Sequence, residues 1–485
     1  MDWEKLISKR TQIPREAEPR FWEDYPISDF EKDYKSIISS AAFRRLQDKT
    51  QVFPLDQSDF VRTRLTHSIE VSTIAKQLGI MITQNKTPYL PLEFAENSAL
   101  QHDIPSILSC SGLLHDLGNP PFGHFGEVVI GEWFQRTLER DTFQFKGTPV
   151  RDLLNQQMKQ DLCYFEGNAQ ALRILSKARW NPGGSDANLT YAVINTLIKY
   201  PTSSIDVDAG SEDVRVHKLG FFLSEQPMFE AIRNEVGLCE EGVPSHVRYP
   251  LTFLMEAADD IAYATSDLED GLKKGMFSVD EFCKYAQDCI EKLPQGTKRS
   301  RTAELFGKLE AGLAEIPSRN AESDMVVFQK WIEYVKRWFM YVVAYSFSKN
   351  YAKIMDGTYH DDMFAEGYHT HSVKILKGAM VEFVFSAPGI LKLELSARKI
   401  IASLLGDFIP AVLYWGDEEG PYRMSKADKK FVNIISDNLK RDYQQAKGED
   451  PIYNLYLRFL MVTDYISGMT DSFAKKLYQE LNGIC

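Results

Sequence analysis

From Ile107 to Leu117 the chain is apolar or small in character, and it closes on His115-Asp116 against Gly118-Asn119-Pro120-Pro121. Two successive prolines cannot continue a helix, so the run reads as a buried helix with His115 and Asp116 in its last turn. A histidine and a carboxylate delivered to the end of a buried helix need polar partners inside the fold. That need constrains the architecture, because other segments must bring matching groups to the same place.

Three segments offer them. Leu65, Ile69, Ile74, Ala75 and Leu78 fall at mostly helical spacing, which places His67 near a helix start with Thr66 or Ser68 helping to begin it. After the double proline, His124 and Glu127 open the next helix three residues apart, on one face. A third helix over Leu251 to Leu268 carries the apolar stripe Leu254, Met255, Ala258, Ile261, Ala262 and Thr265, while Asp259, Tyr263 and Asp267 stand four apart along one face. Three aligned polar groups on such a helix need partners, and a metal with a hydroxyl-bearing ligand would supply them.

Taken singly, each motif has a plainer explanation. A histidine suits a helix C-terminus and a glutamate suits a first turn, and a lone histidine is usually a core residue. In combination they point to a nitrogen-and-oxygen metal site, suited to manganese, magnesium, iron or zinc, with no nearby cysteine to build a thiolate zinc centre. A metal so held lowers the pKa of bound water and polarises a phosphoryl oxygen, which is hydrolase chemistry. Arg44, Arg45, Lys49, Arg62 and Arg64 precede His67 and suggest charge for a phosphate.

The net charge of -12 excludes a surface coated for nucleic-acid binding, so an anionic ligand must meet focused positive charge. No Gly/Ser or Pro-rich linker divides the 485 residues, and one large helical body is expected. Six scattered cysteines without a CxxC pair suit free thiols in a reducing cytoplasm. The N-terminal residues lack a signal-peptide apolar region, and stretches such as Phe339 to Phe347 are too short to span a bilayer, so a cytoplasmic protein without a membrane partner is expected. Elsewhere, Glu291 to Asp324 reads as surface helices or loops, Tyr341 to Met355 and Leu455 to Met469 as buried helices, and Val373 to Leu395 as a helix followed by a short strand.

With these residues in view, the chain resembles the HD-domain phosphohydrolases, and among them the bacterial deoxyguanosine triphosphate triphosphohydrolases. The resemblance runs in order through Phe43 to Leu55, Arg62 to His67, His115 to Glu127, Phe165 to Gln170, Met255 to Asp270 and Asp464 to Asp471. It implies a mainly α fold, the helical HD phosphohydrolase fold with additional helices and a minor β element. The matching division is an N-terminal segment 1–35, a catalytic core 36–275 and a helical part 276–485 packed on it.

The resemblance also implies roles. His67, His115, Asp116 and Asp259 match the metal ligands, and His124 with Glu127 match the catalytic pair. Arg64, Lys199, Tyr200 and Lys218 are similar to the triphosphate contacts, while Gln51, Tyr263 and Asp267 match positions around the sugar 3'-hydroxyl. The implied reaction converts dGTP to deoxyguanosine and tripolyphosphate, with Mn2+ or Mg2+ as the cofactor. A homo-oligomer, a hexamer in this family, and a nucleotide or single-stranded DNA effector are implied as well. Competing readings are another HD nucleotide phosphohydrolase and a noncatalytic nucleotide- or single-strand-binding protein. Against the latter, a sensor needs no proton donor such as His124.

Overall fold

The computed structural model describes residues 1–15, 27–53, 55, 58–84, 90–91, 93–177, 188–244 and 246–484. Helices α1 (Arg64–Gln84) and α2 (Ser98–Leu114) pack against each other. Thr63 and Thr66 start α1 reciprocally, the N–H of each meeting the hydroxyl of the other at 3.0 and 3.4 Å. Its buried face runs through His67, Ser68, Val71, Ser72, Ala75 and Leu78, and Ile69 is 49% exposed instead of belonging to it. The partner explains the difference: a Cβ on Gly112 of α2 would lie 2.5 Å from Ser72 Cα, so small residues mark the face where the two backbones meet.

Helix α2 ends at Leu114, one residue short of the expected pair. His115 and Asp116 lie in the turn beyond it, where the N–H of Leu117 bonds to Leu114 O at 2.9 Å and that of Asn119 to Asp116 O at 3.2 Å. These i to i+3 bonds tighten the chain before the prolines. Helix α3 (Gly123–Leu138) follows. Next comes the only sheet among the described residues, β1 (Gln144–Phe145) paired antiparallel with β2 (Thr148–Pro149) and turned by Lys146 and Gly147, both at positive φ.

Helix α4 (Gly167–Ser176) precedes the central helix α5 (Pro250–Lys273), whose Pro250 occupies the first turn, where no helical N–H is needed. Helix α6 (Thr297–Ala314) buries Leu305, Phe306, Leu309 and Leu313, so the charged stretch around it is half core and not wholly surface. In α7 (Ala321–Lys349) the buried stripe is Phe339, Met340, Val343, Ala344 and Phe347, while Tyr341 and Tyr345 face out; a separate short helix covers Tyr351–Met355.

The expected strand after Val373 is absent. Helix α8 (Thr370–Met380) runs into a π-helical stretch, Val381–Phe385, and then α9 (Pro388–Val412) begins. Val381, Phe383, Val384 and Phe385 have strand-like chemistry, but of that stretch only Val384 is fully buried and no described strand lies alongside to pair its backbone. Helices α10 (Pro451–Ser467) and α11 (Asp471–Leu481) complete the chain.

Two apolar cores result. One joins α1, α2, α5, α7 and α8 with Trp3, Leu6 and Phe30; the other joins α3, α9, α10 and α11. The first core runs on past residue 275, since α7 and α8 pack against α5. Among the described residues no helix is long and apolar enough to cross a membrane, and Cys110, Cys163, Cys239, Cys283 and Cys289 are free.

Candidate active site

His67 comes from the first turn of α1, His115 and Asp116 from the turn after α2, and each offers a ligand atom, all within 4.8 Å of one another. Asp259, from α5, joins them: its Oδ1 lies 3.3 Å from His67 Nε2 and 3.4 Å from His115 Nε2. His115 Nδ1 donates to Gly112 O at 2.9 Å, which fixes the tautomer and leaves Nε2 with its lone pair, buried and without a hydrogen-bond partner. A buried acceptor without a donor, beside two carboxylates, is what a divalent metal satisfies, so the donor set fits such an ion.

The carboxylates are kept ionised. Burial alone would raise Asp116, but Arg64, His115 and His67 outweigh it and hold the carboxyl at about 2. Desolvation would also raise the half-buried Asp259, yet Lys199 and the two histidines hold it well below the usual range. Arg64 Nη1 meets Asp116 Oδ2 at 2.7 Å and Lys199 Nζ meets Asp259 Oδ2 at 2.9 Å. Asn119 Nδ2 donates to the other oxygen of Asp116.

These groups line a cavity of about 580 Å³. His124, on the first turn of α3, lines it too, and its Nδ1 is hydrogen-bonded to Glu127 Oε2. Glu127 is 5% exposed and accepts the Gly167 N–H at 2.9 Å on its second oxygen, so its carboxylate is fixed from both sides. The bond to Glu127 raises the His124 pKa above its ordinary value.

Along α5, Tyr263 and Asp267 follow Asp259 into the cavity wall, as their spacing requires. Asp267 is 0% exposed with neither oxygen hydrogen-bonded, and burial pushes its carboxyl up to about 7. Gln51 lines the cavity as well, with its Oε1 buried and unpartnered. Lys218 also reaches the cavity, paired with Glu166 at 2.9 Å.

Tyr200 is outside the lining, with the Arg248 guanidinium over its ring, 5.9 Å from the centroid. Of the basic residues before His67, only Arg64 enters. Arg62 is held by Glu70, Glu269 and Asp270, the last two of them buried. Lys49 Nζ donates to the carbonyls of Asn119 and Ser467.

Sequence reasoning passes over Asn119, Glu166, Asn168, Lys377, Phe385 and Glu394, all of which line the cavity. Asn119 sits within the double-proline turn and could be found there. Lys377, 117 positions beyond its partner Asp260 at 2.6 Å, leaves no local signal.

The HD domain family model matches residues 64–164. Proteins named deoxyguanosinetriphosphate triphosphohydrolase-like from Listeria monocytogenes and Listeria innocua are each 41% identical over 488 residues, covering 100% of both chains. A deoxyguanosinetriphosphate triphosphohydrolase of Enterobacter sp. (strain 638) is 30% identical over 487 residues, 94% of each chain.

Proposed function

Because the chain belongs to the deoxyguanosinetriphosphate triphosphohydrolase family of HD-domain hydrolases, we propose that it converts dGTP to deoxyguanosine and tripolyphosphate by water attack at the α-phosphorus. The observation that carries this reading is one cavity lined by His67, His115, Asp116 and Asp259, the His124–Glu127 pair, and the row Asp259, Tyr263, Asp267. His67, His115, Asp116 and Asp259 would hold a divalent ion, Mn2+ or Mg2+. Such an ion, when bound, supplies water of lowered pKa and charge for the phosphoryl oxygens.

The remaining work falls to the chain. Arg64, Lys199 and Lys218 bring cationic charge to a cavity in an acidic protein, where it can offset a polyanionic triphosphate. Tyr200, beside Lys199 in the sequence, lies outside the cavity lining. The leaving 5'-oxygen departs as an alkoxide unless it is protonated, and His124, its Nδ1 taken by Glu127, has its other ring nitrogen free to donate that proton. Buried Glu127 steadies the imidazolium. Tyr263 and Asp267 read the sugar 3'-hydroxyl, which would satisfy the unpaired Asp267 carboxyl. Gln51 and Val52 line the same cavity, and packed against the sugar they would exclude a 2'-hydroxyl.

The test is product analysis with each of the four deoxynucleoside triphosphates and with GTP, in the presence of Mn2+ and ¹⁸O-labelled water. The label should enter tripolyphosphate, with none in the nucleoside, and dGTP should be preferred over GTP. Deoxynucleoside diphosphate accumulating with labelled orthophosphate would instead mean attack at the γ-phosphorus and sink the reading.

A further inference from the structure

We propose that Asp471, at the start of α11, is a positioning residue that holds the sugar-side wall and the proton-donor turn of the cavity in register. The proposal rests on the roles given above to Gln51 and His124. The Asp471 carboxylate is 2% exposed and divides its oxygens between two distant segments. Oδ2 accepts the Thr50 N–H at 3.0 Å and also the Thr50 hydroxyl, while Oδ1 accepts the Phe122 N–H at 2.9 Å. Thr50 immediately precedes Gln51, and Phe122 is followed by Gly123 and His124.

The Phe122 turn needs such a hold. Phe122 has φ 64, a left-handed conformation that its β-carbon disfavours, and its buried N–H would lack an acceptor without the carboxylate. Gly123 follows at φ 62, and the Arg64 Nη2 lies 2.4 Å from where a Cβ would stand, so Arg64 rests directly on this turn. On the other side, Thr50 bridges to Thr63 and Lys49 O accepts the Arg64 N–H at 2.9 Å. One carboxylate thus ties together the segments carrying Gln51, Arg64 and His124.

An acidic residue in a first helical turn is favourable in any case. The melting temperature reads that plainer role, and its neighbour Ser472, which donates to Asp48 on the surface at 2.8 Å, is the control for a first-turn substitution that leaves the cavity ties intact. Three donors on two oxygens require a carboxylate: asparagine keeps the shape but turns an NH₂ toward one of the two backbone N–H groups.

The experiment measures kcat and KM for dGTP and GTP on the full chain with Mn2+, beside thermal melting. Asp471→Asn should lower kcat by about ten- to a hundredfold, the scale of a misplaced catalytic group, and narrow the preference for dGTP over GTP, with bound metal unchanged. Ser472→Ala should match the wild type in each respect. Thr50→Val, which removes only the hydroxyl donor, should narrow the preference in the same direction, and it decides the matter if Asp471→Asn does not fold. Wild-type kcat and preference in Asp471→Asn, a loss confined to its melting temperature, or an unchanged preference in Thr50→Val would overturn the proposal. Failure of the wild type to release tripolyphosphate would count against the reaction assigned above, and the variant-to-wild-type rate ratio on the same substrate would still decide the role of Asp471.

Discussion

His124 is exposed at its side chain whereas Glu127 is buried, so the pair joins a solvent-facing acid to a fixed carboxylate. Its raised pKa keeps the proton available to a higher pH than an ordinary histidine allows. The sign follows: the acid form is present below the folded pKa and activity falls as pH rises through it. Glu127→Gln removes the main cause of the shift, so the basic limb of the kcat/KM profile should move to lower pH; a limb that stays in place assigns the acid to another group. His124→Ala should lose about 10² to 10⁴ in rate while metal content, measured on the purified variant, is retained. His115→Ala and Asp116→Ala should instead lose both metal and turnover. Stoichiometric metal in either would remove that residue from the ligand set.

Among the helices, contact distance between backbones decides where the ligands stand. Gly112→Ala places a Cβ 2.7 Å from Ser72 N as well as against its Cα, and backbone cannot yield as a flexible side chain can. The variant should be destabilised by about 1 to 3 kcal/mol, and, because α1 carries His67 and the turn after α2 carries His115, it should bind metal more weakly. Denaturant unfolding and metal titration check the two effects, and unchanged affinity would mean that the ligand turn moves with α1. Much of this site is legible in the sequence, because helical spacing places Asp259, Tyr263 and Asp267 on one face and two prolines end the turn after His115. What stays hidden depends on long-range contacts. Ile69 has the spacing of a core residue, but Gly112 draws the small Ser72 face inward instead. The stretch Val381–Phe385 has strand composition and, among the described residues, no strand to pair with. Lys377 and Asp471 reach the cavity region from sequence positions far from the motifs they meet.

At the scale of the whole molecule, a buried ionic cluster links α4 to α10. Asp464 accepts Gln170 Nε2 at 2.8 Å, Arg173 Nε and Nη2 at 2.8 and 2.9 Å, and Lys177 Nζ at 2.7 Å. The other end of α4 presents the Gly167 N–H to Glu127, so one helix spans from this cluster to the proposed catalytic pair. Burial alone would raise the Asp464 carboxyl, but Arg173 and Lys177 outweigh it and hold it at about 2, against about 3.9 when unfolded. Its folded pKa is depressed, so its stabilisation is present above the unfolded value and is lost as pH falls through the folded one. Asp464→Ala strands the buried Lys177 and leaves Arg173 with Glu225 and Ser224 alone, and it should cost about 3 to 5 kcal/mol near neutral pH. Unfolding followed at pH 7 and at pH 3 should show the gap between wild type and variant narrowing at the lower pH. A gap of the same size at both would mean that the carboxylate acts through packing and not through its charge.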